Sequence, residues 1–139
     1  FGGGDTNWSR IVPGTMRSLA RNETPVIRSD GTLVRDYIYV EDVVSGYIML
    51  AEAMEKKNFK GEAFNFGVNN PLDVLAMVKE ICTACKKNVK PKILGEAPNE
   101  IRAQYLDSTK ARKVLGWKPQ HTLQQGLKKA YAWYKSSKE

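Results

Sequence analysis

The sequence predicts a mixed α/β fold in which about five helices separate short strands. Three observations carry that prediction. Helical signals recur in five stretches, short runs rich in Val, Ile and Tyr lie between them, and Gly, Pro, Asn and Asp mark the junctions. There is no internal repeat, low-complexity tract or flexible linker, so residues 1–139 are read as one unit.

The elements follow in order. Residues 1–8 are Gly-rich and polar, hence a loop. Pro13 suits the first turn of a helix, Met16, Leu19 and Ala20 form its apolar face, and Asn22 ends it after Arg21. Pro25 to Arg28 reads as a strand, Ser29-Asp30-Gly31 as a turn, and Thr32 to Val40 as a longer strand, together a hairpin. Alternation puts Leu33, Arg35, Tyr37 and Tyr39 on one face of that strand. Asp42 is the expected N-cap of a second helix burying Val43, Tyr47, Leu50 and Met54 and ending at Lys56-Lys57, with a loop from Asn58 to Gly61. Ala63 to Phe66 reads as a strand. Asn70-Pro71 is expected to open a third helix with Val74, Val78, Ile81 and Cys85 inward. Pro91 to Leu94 is a strand, residues 95–101 a loop, and residues 103–106 a further extended piece. Ser108 caps a short helix stopped by Gly116, and Thr122 with Gln125 forms a capping box for the last helix, which buries Leu123, Leu127, Ala130 and Tyr134.

The net charge of +7 is unevenly placed. Residues 1–50 hold five basic and six acidic groups, and every one of the basic groups is Arg: Arg10, Arg17, Arg21, Arg28 and Arg35. The remainder holds 15 Lys and only two Arg, Arg102 and Arg112. A guanidinium binds phosphate through a planar fork, so the first half is the place to expect an anionic ligand, and the Lys-rich half reads as solvated helix faces. A nucleic-acid-binding module stays open on charge alone, but no basic helix, zinc-finger spacing or RNP-type motif accompanies it. No run of about 18 apolar residues exists, so no membrane span is expected. Two cysteines suggest a reducing, cytoplasmic setting.

Chemistry-bearing residues are sparse. Cys82-x-x-Cys85 falls near a helix end without further ligands and reads as core thiols, not as a metal or redox site. His121 is isolated before a helix cap and reads as a loop residue. Phe1-Gly2-Gly3-Gly4 lacks the ending of a P-loop, and no dinucleotide glycine fingerprint follows a strand. None of the six tyrosines is read as opening a Tyr-x-x-x-Lys catalytic pair, and no catalytic residue is assigned.

The segment from Val34 to Val44, containing Arg35-Asp36-Tyr37, resembles a signature of the extended short-chain dehydrogenase/reductase family, the NAD-dependent sugar-nucleotide epimerases and dehydratases. Phe64-Asn65-Phe66-Gly67, Asp107-Ser108-Thr109-Lys110-Ala111, Leu115-Gly116-Trp117-Lys118-Pro119 and the final helix with Trp133 follow in the family's order. The opening through Pro13-Gly14, with residues 26–31 and 104–107, looks most like the dehydratase branch acting on CDP-glucose. The resemblance implies that residues 1–139 are a C-terminal nucleotide-sugar-binding portion of a Rossmann-type parent. An N-terminal half upstream would carry the NAD site and the catalytic Tyr-x-x-x-Lys, the parent would be a homo-oligomer, and the fragment would be inactive and prone to self-association. It also implies substrate contacts. Arg35 falls at the diphosphate position with Tyr37 beside it, Ser9 and Arg10 precede the helix, Arg28 lines the nucleotide pocket, and Asn70 lies near the phosphates. Relatives carry an Arg about ten residues before the position of Asp107. Here Glu96 and Ala97 stand there, with Arg102 the nearest substitute. UDP-, dTDP- and GDP-sugar epimerases or dehydratases are the rival readings within the family, and a plain interaction domain is a rival outside it.

Overall fold

The computed structural model describes residues 1–56, 59–97 and 99–137. Lys57, expected at a helix end, and Asn58 and Pro98, expected in loops, lie outside the described residues. Five helices and five two-residue strands are described, in the order α1 (Ile11–Ala20), β1 (Val26–Ile27), β2 (Val34–Arg35), α2 (Val40–Met54), β3 (Leu72–Asp73), α3 (Val74–Ala84), β4 (Lys92–Ile93), β5 (Ala103–Gln104), α4 (Thr109–Leu115) and α5 (Leu123–Ser136).

Helices α1, α3 and α5 pack on one another around the main core. Met16, Met77, Ile81, Leu127 and Ala130 are fully buried there, which is what the helical spacing of these apolar residues requires. Tyr134 also turns inward, and the Thr122–Gln125 capping box starts α5 as its sequence predicts. A smaller cluster of Phe66, Ala111 and Trp117 joins α2 to α4. Gly116 ends α4 at φ +70°, a conformation costly for a side chain with Cβ.

Four local expectations change. The hairpin does not form. β1 pairs in parallel with β4, whereas β2 is the centre of a β3-β2-β5 sheet. The turn between them is committed elsewhere, because the Gly31 and Leu33 carbonyls accept the Leu75 and Val74 N–H groups at the start of α3. The second helix begins at Val40, so Asp42 is not its cap. Its carboxylate is 1% exposed and accepts the Gln120 N–H at 2.8 Å. That helix leaves Tyr47 and Met54 in solvent instead of burying them, with Val44 and Ile48 beside them. The third helix is capped by Asp73, which accepts the Ala76 N–H at 2.7 Å, and Asn70-Pro71 stays outside it. Finally, residues 63–66 form no strand. Carbonyls of this segment are taken by side chains of α4 and its cap: Lys110 donates to Ala63 O, and Ser108 and Arg112 donate to Gly67 O.

Candidate functional site

A cavity of about 690 Å³ opens between the start of α1, β1 and β2. It draws together five of the seven residues expected at a substrate: Ser9, Arg10, Arg28, Arg35 and Tyr37. Each arrives for a local reason. Ser9 and Arg10 lie at the entrance to α1, where Asn7 Oδ1 accepts both the Ser9 N–H (3.2 Å) and its hydroxyl (2.6 Å). Gly14 makes this close turn possible, since a Cβ there would stand 2.5 Å from the Trp8 carbonyl oxygen. Arg28 follows β1 and reaches back to the Ser9 carbonyl at 3.4 Å. Arg35 and Tyr37 project from the same face as Leu33, which also lines the cavity, as the alternation predicts.

Three arginines therefore share one cavity with the first turn of α1. The α1 N-cap, Arg10, makes no side-chain capping bond, and the first turn contains no acidic residue. A helix N-terminus carries about half a positive charge and free N–H groups, so this arrangement favours an anion with several oxygens. Two carboxylates moderate the charge, and both went unassigned from sequence. Asp5 pairs with Arg10 at 3.0 Å, and Glu100 pairs with Arg35 at 3.4 Å. Burial opposes ionisation of Asp5, but the Asn7 N–H and the Arg10 guanidinium hold its carboxyl below the usual range. Neither acid carries a periodic signal. Glu100 meets Arg35 across 65 residues, and Asp5 sits in a Gly-rich loop. Trp8, a further cavity residue, lies in the same loop.

Asn70 and Arg102 stand apart from this cavity. Asn70 is exposed and lines a separate space of about 170 Å³ with Tyr39 and His121. Arg102 is exposed, and its carbonyl accepts the Val34 N–H at 2.8 Å. His121 is more engaged than an isolated loop residue. Its Nδ1 lies 2.9 Å from Asp42, and its Nε2 lies 3.1 Å from Lys129 Nζ. Its Nε2 also lies 3.3 Å from Glu41 Oε2, so the ring stands between two carboxylates and an ammonium. Two Tyr-x-x-x-Lys spacings do occur, Tyr131 with Lys135 on α5 and Tyr134 with Lys138, which corrects the sequence reading; Lys138 lies outside the described residues. Tyr131, Tyr134 and Lys135 do not line the cavity, and burial pushes both phenols up, opposite to what a catalytic base needs. Burial likewise pushes the Cys85 thiol up to about 12, the environment of a core thiol. Among the described residues no group of three His, Cys, Asp or Glu could hold a metal ion, and no helix is long and apolar enough to cross a membrane.

Three phenols give the fold a pH signature. Burial, as the main cause, pushes Tyr37, Tyr39 and Tyr134 up to about 12. An unfolded Tyr titrates near ~10, so the folded chain holds these protons more tightly. The associated stability is fully present below about pH 10 and declines as pH rises towards the folded values. The urea midpoint measured from pH 8 to 11.5 is expected to hold level and then fall above about pH 10. A level midpoint throughout would contradict the burial of these phenols.

Comparison with known proteins adds the following. A family model described as GDP-mannose 4,6 dehydratase matches residues 4–130. The UDP-glucose 4-epimerase of Lactobacillus helveticus is 37% identical over 111 residues, which is 77% of this chain and 32% of that protein. The structure of UDP-glucose 4-epimerase from Thermotoga maritima with UDP-glucose superposes with a TM-score of 0.79 at 32% identity, over 90% of this chain and 39% of that one. dTDP-glucose 4,6-dehydratase of Bacillus anthracis in complex with NAD shares the fold, with a TM-score of 0.80 at 22% identity over 98% of this chain and 42% of that one. The chain thus spans about a third of the length of the curated relatives it matches. UDP-glucose 4-epimerases recur among them.

Proposed function

The chain belongs to the GDP-mannose 4,6 dehydratase family within the sugar-nucleotide epimerases and dehydratases, the extended short-chain dehydrogenases, and from that premise we propose that it is the nucleotide-sugar-binding portion of a CDP-glucose 4,6-dehydratase. One observation carries the binding role. Arg10, Arg28 and Arg35 converge with the N-terminus of α1 on a single cavity, the chemistry that holds a nucleoside diphosphate. Ser9 and Tyr37 add hydroxyl groups, and the Tyr37 hydroxyl is buried without a hydrogen-bond partner among the described residues. CDP as the nucleotide rests on the resemblance of the opening fourteen residues, 26–31 and 104–107 to that branch. The recurrence of UDP-glucose 4-epimerases among the relatives favours a second reading, a UDP-sugar 4-epimerase using the same cavity.

In the proposed reaction CDP-glucose loses water to give CDP-4-dehydro-6-deoxyglucose. NAD supplies the oxidising and reducing capacity when bound. The residues described here do not fit that cofactor. The Gly2-Gly3-Gly4 run precedes no phosphate-cradling helix start, because α1 begins only at Ile11 and a Cβ on Gly3 would meet Trp133 at 2.7 Å. The proposal therefore assigns the cofactor and catalytic groups to another part of the protein. Three features support such a part: the exposed Val44, Tyr47 and Ile48 on α2, the unladdered segment 63–66, and the Asp36 carboxylate, buried without a hydrogen-bond partner among the described residues. This chain's own contribution is to bind and orient the diphosphate, so that remote binding energy fixes the hexose at the reacting centre.

Titrating the chain with CDP, UDP and duplex DNA tests the reading. CDP is expected to bind more tightly than UDP, with no steeply salt-dependent binding to the duplex. Preference for UDP would favour the epimerase reading, and duplex binding without nucleotide binding would overturn both.

A further inference from the structure

We propose that Trp8 forms the nucleobase wall of the cavity, held from behind by Arg17 and Tyr134. The inference rests on the nucleotide reading and extends it to the base. Trp8 lines the cavity and precedes Ser9 and Arg10 directly. Its indole is clamped on two sides. The Arg17 guanidinium lies 4.7 Å from the ring centroid, and Tyr134 meets the ring at 6.0 Å in an edge-on arrangement of 66°. The Arg17 Nε is buried with no hydrogen-bond partner among the described residues, so the ring contact is the interaction the structure gives this part of its guanidinium. Arg17 does not line the cavity, so its charge backs the ring without competing for the ligand.

The loop carrying Trp8 is fixed as well. The Tyr134 hydroxyl donates towards the Asp5 carbonyl at 2.9 Å and the Gly2 carbonyl at 3.2 Å. The Trp8 carbonyl rests against Gly14, and its N–H donates to Thr6 O at 3.0 Å. A ring anchored in this way offers its remaining surface to the cavity at little entropic cost. Every nucleobase presents a flat face, and stacking on an aromatic ring suits it. Arg35 enters the same cavity from β2 and Tyr37 from the residues just after it, so part of the anion's contacts come from a wall other than the one that carries Trp8.

CDP and inorganic pyrophosphate separate the base contact from the anion contacts, because only CDP carries a base. Calorimetric titration of the chain is expected to show Trp8→Ala weakening CDP roughly tenfold, the order of one base–aromatic stack, with pyrophosphate affinity unchanged. Arg17→Met, which keeps the indole and removes its backing, is expected to weaken CDP roughly threefold and again spare pyrophosphate. CDP should quench tryptophan fluorescence in the unaltered chain and not in Trp8→Phe, although Trp117 and Trp133 remain. The proposal is overturned if Trp8→Ala leaves CDP binding unchanged, if it weakens CDP and pyrophosphate equally, or if the quench survives in Trp8→Phe. Failure of the unaltered chain to bind CDP would remove the nucleotide reading itself, and this inference with it.

Discussion

Replacing Trp117 with Ala is expected to destabilise the chain by about 3–5 kcal/mol, the range for removing a buried large aromatic from a core. Trp117 is 1% exposed and is the hub of the smaller cluster. Phe66 meets its ring at 5.1 Å and 71°, and its indole N–H donates to the Asp42 carbonyl at 3.0 Å. The ring thereby ties the segment after α4 to the first turn of α2, with the Asp42 side chain holding Gln120 and His121 from the same place. Truncation opens a cavity that the neighbouring side chains would have to close, and it removes one of the donors to the Asp42 carbonyl, to which the Ser45 hydroxyl also donates at 2.8 Å. Domains of this size have about 5–15 kcal/mol in total, so the variant should be largely unfolded at modest urea concentrations. Trp117→Phe keeps most of the ring but not the N–H, and is expected to lose about half as much. Urea denaturation followed by circular dichroism gives both values. A loss below about 1 kcal/mol for Trp117→Ala would mean that the cluster is not a packed core.

The Trp117 environment also shows what could be read from the chain alone. The helices of the main core were legible because Met16, Leu19, Val78, Ile81, Leu127 and Ala130 follow the helical period and each is buried. Caps at Asn22, Gly116 and Thr122 carry strong local signals, and each marks a helix end in the structure. Asp42 misled because a carboxylate before an apolar run is a good cap in general. Here long-range demand from Gln120 and His121, about 78 residues on, takes the side chain inward. The hairpin misled for a similar reason. Ser29-Asp30-Gly31 does turn the chain, with Asp30 accepting the Thr32 N–H and Gly31 at φ +89°, but α3 claims the carbonyls that follow. The stripe on α2 reads as core in sequence, yet Tyr47 is 63% exposed. Periodicity reports an apolar face and does not say whether a partner for it lies within the same 139 residues. Five site residues came together because the motifs placing them are local to α1, β1 and β2. Asp5 and Glu100 escaped notice because an isolated acid in a loop has no pattern.

The second large effect concerns Arg35. Arg35→Ala is expected to weaken CDP binding by about 1–3 kcal/mol, the order of a charge-assisted hydrogen bond to phosphate. Its backbone is held on both sides, since β2 pairs with β3 at Leu72 and with β5 at Gln104. Its Nη1 donates to the Val34 carbonyl at 2.8 Å, which leaves the guanidinium oriented before any ligand arrives. A pre-oriented cation loses little freedom on binding, and this is why its removal should be felt in affinity. The Glu100 pair at 3.4 Å involves a half-exposed carboxylate and adds little to stability, so the variant should fold. Arg35→Lys keeps the charge but not the fork and is expected to fall between the two. Two exposed residues outside the cavity supply the contrast. Asn70→Ala and Arg102→Ala are expected to leave the CDP dissociation constant within about twofold. Equal losses at Arg35 and Arg102 would point to diffuse electrostatic attraction, because a net charge of +7 attracts any polyanion weakly and without regard to position. A loss confined to Arg35 can only come from the cavity, because both substitutions remove one identical charge and differ solely in where the guanidinium stands.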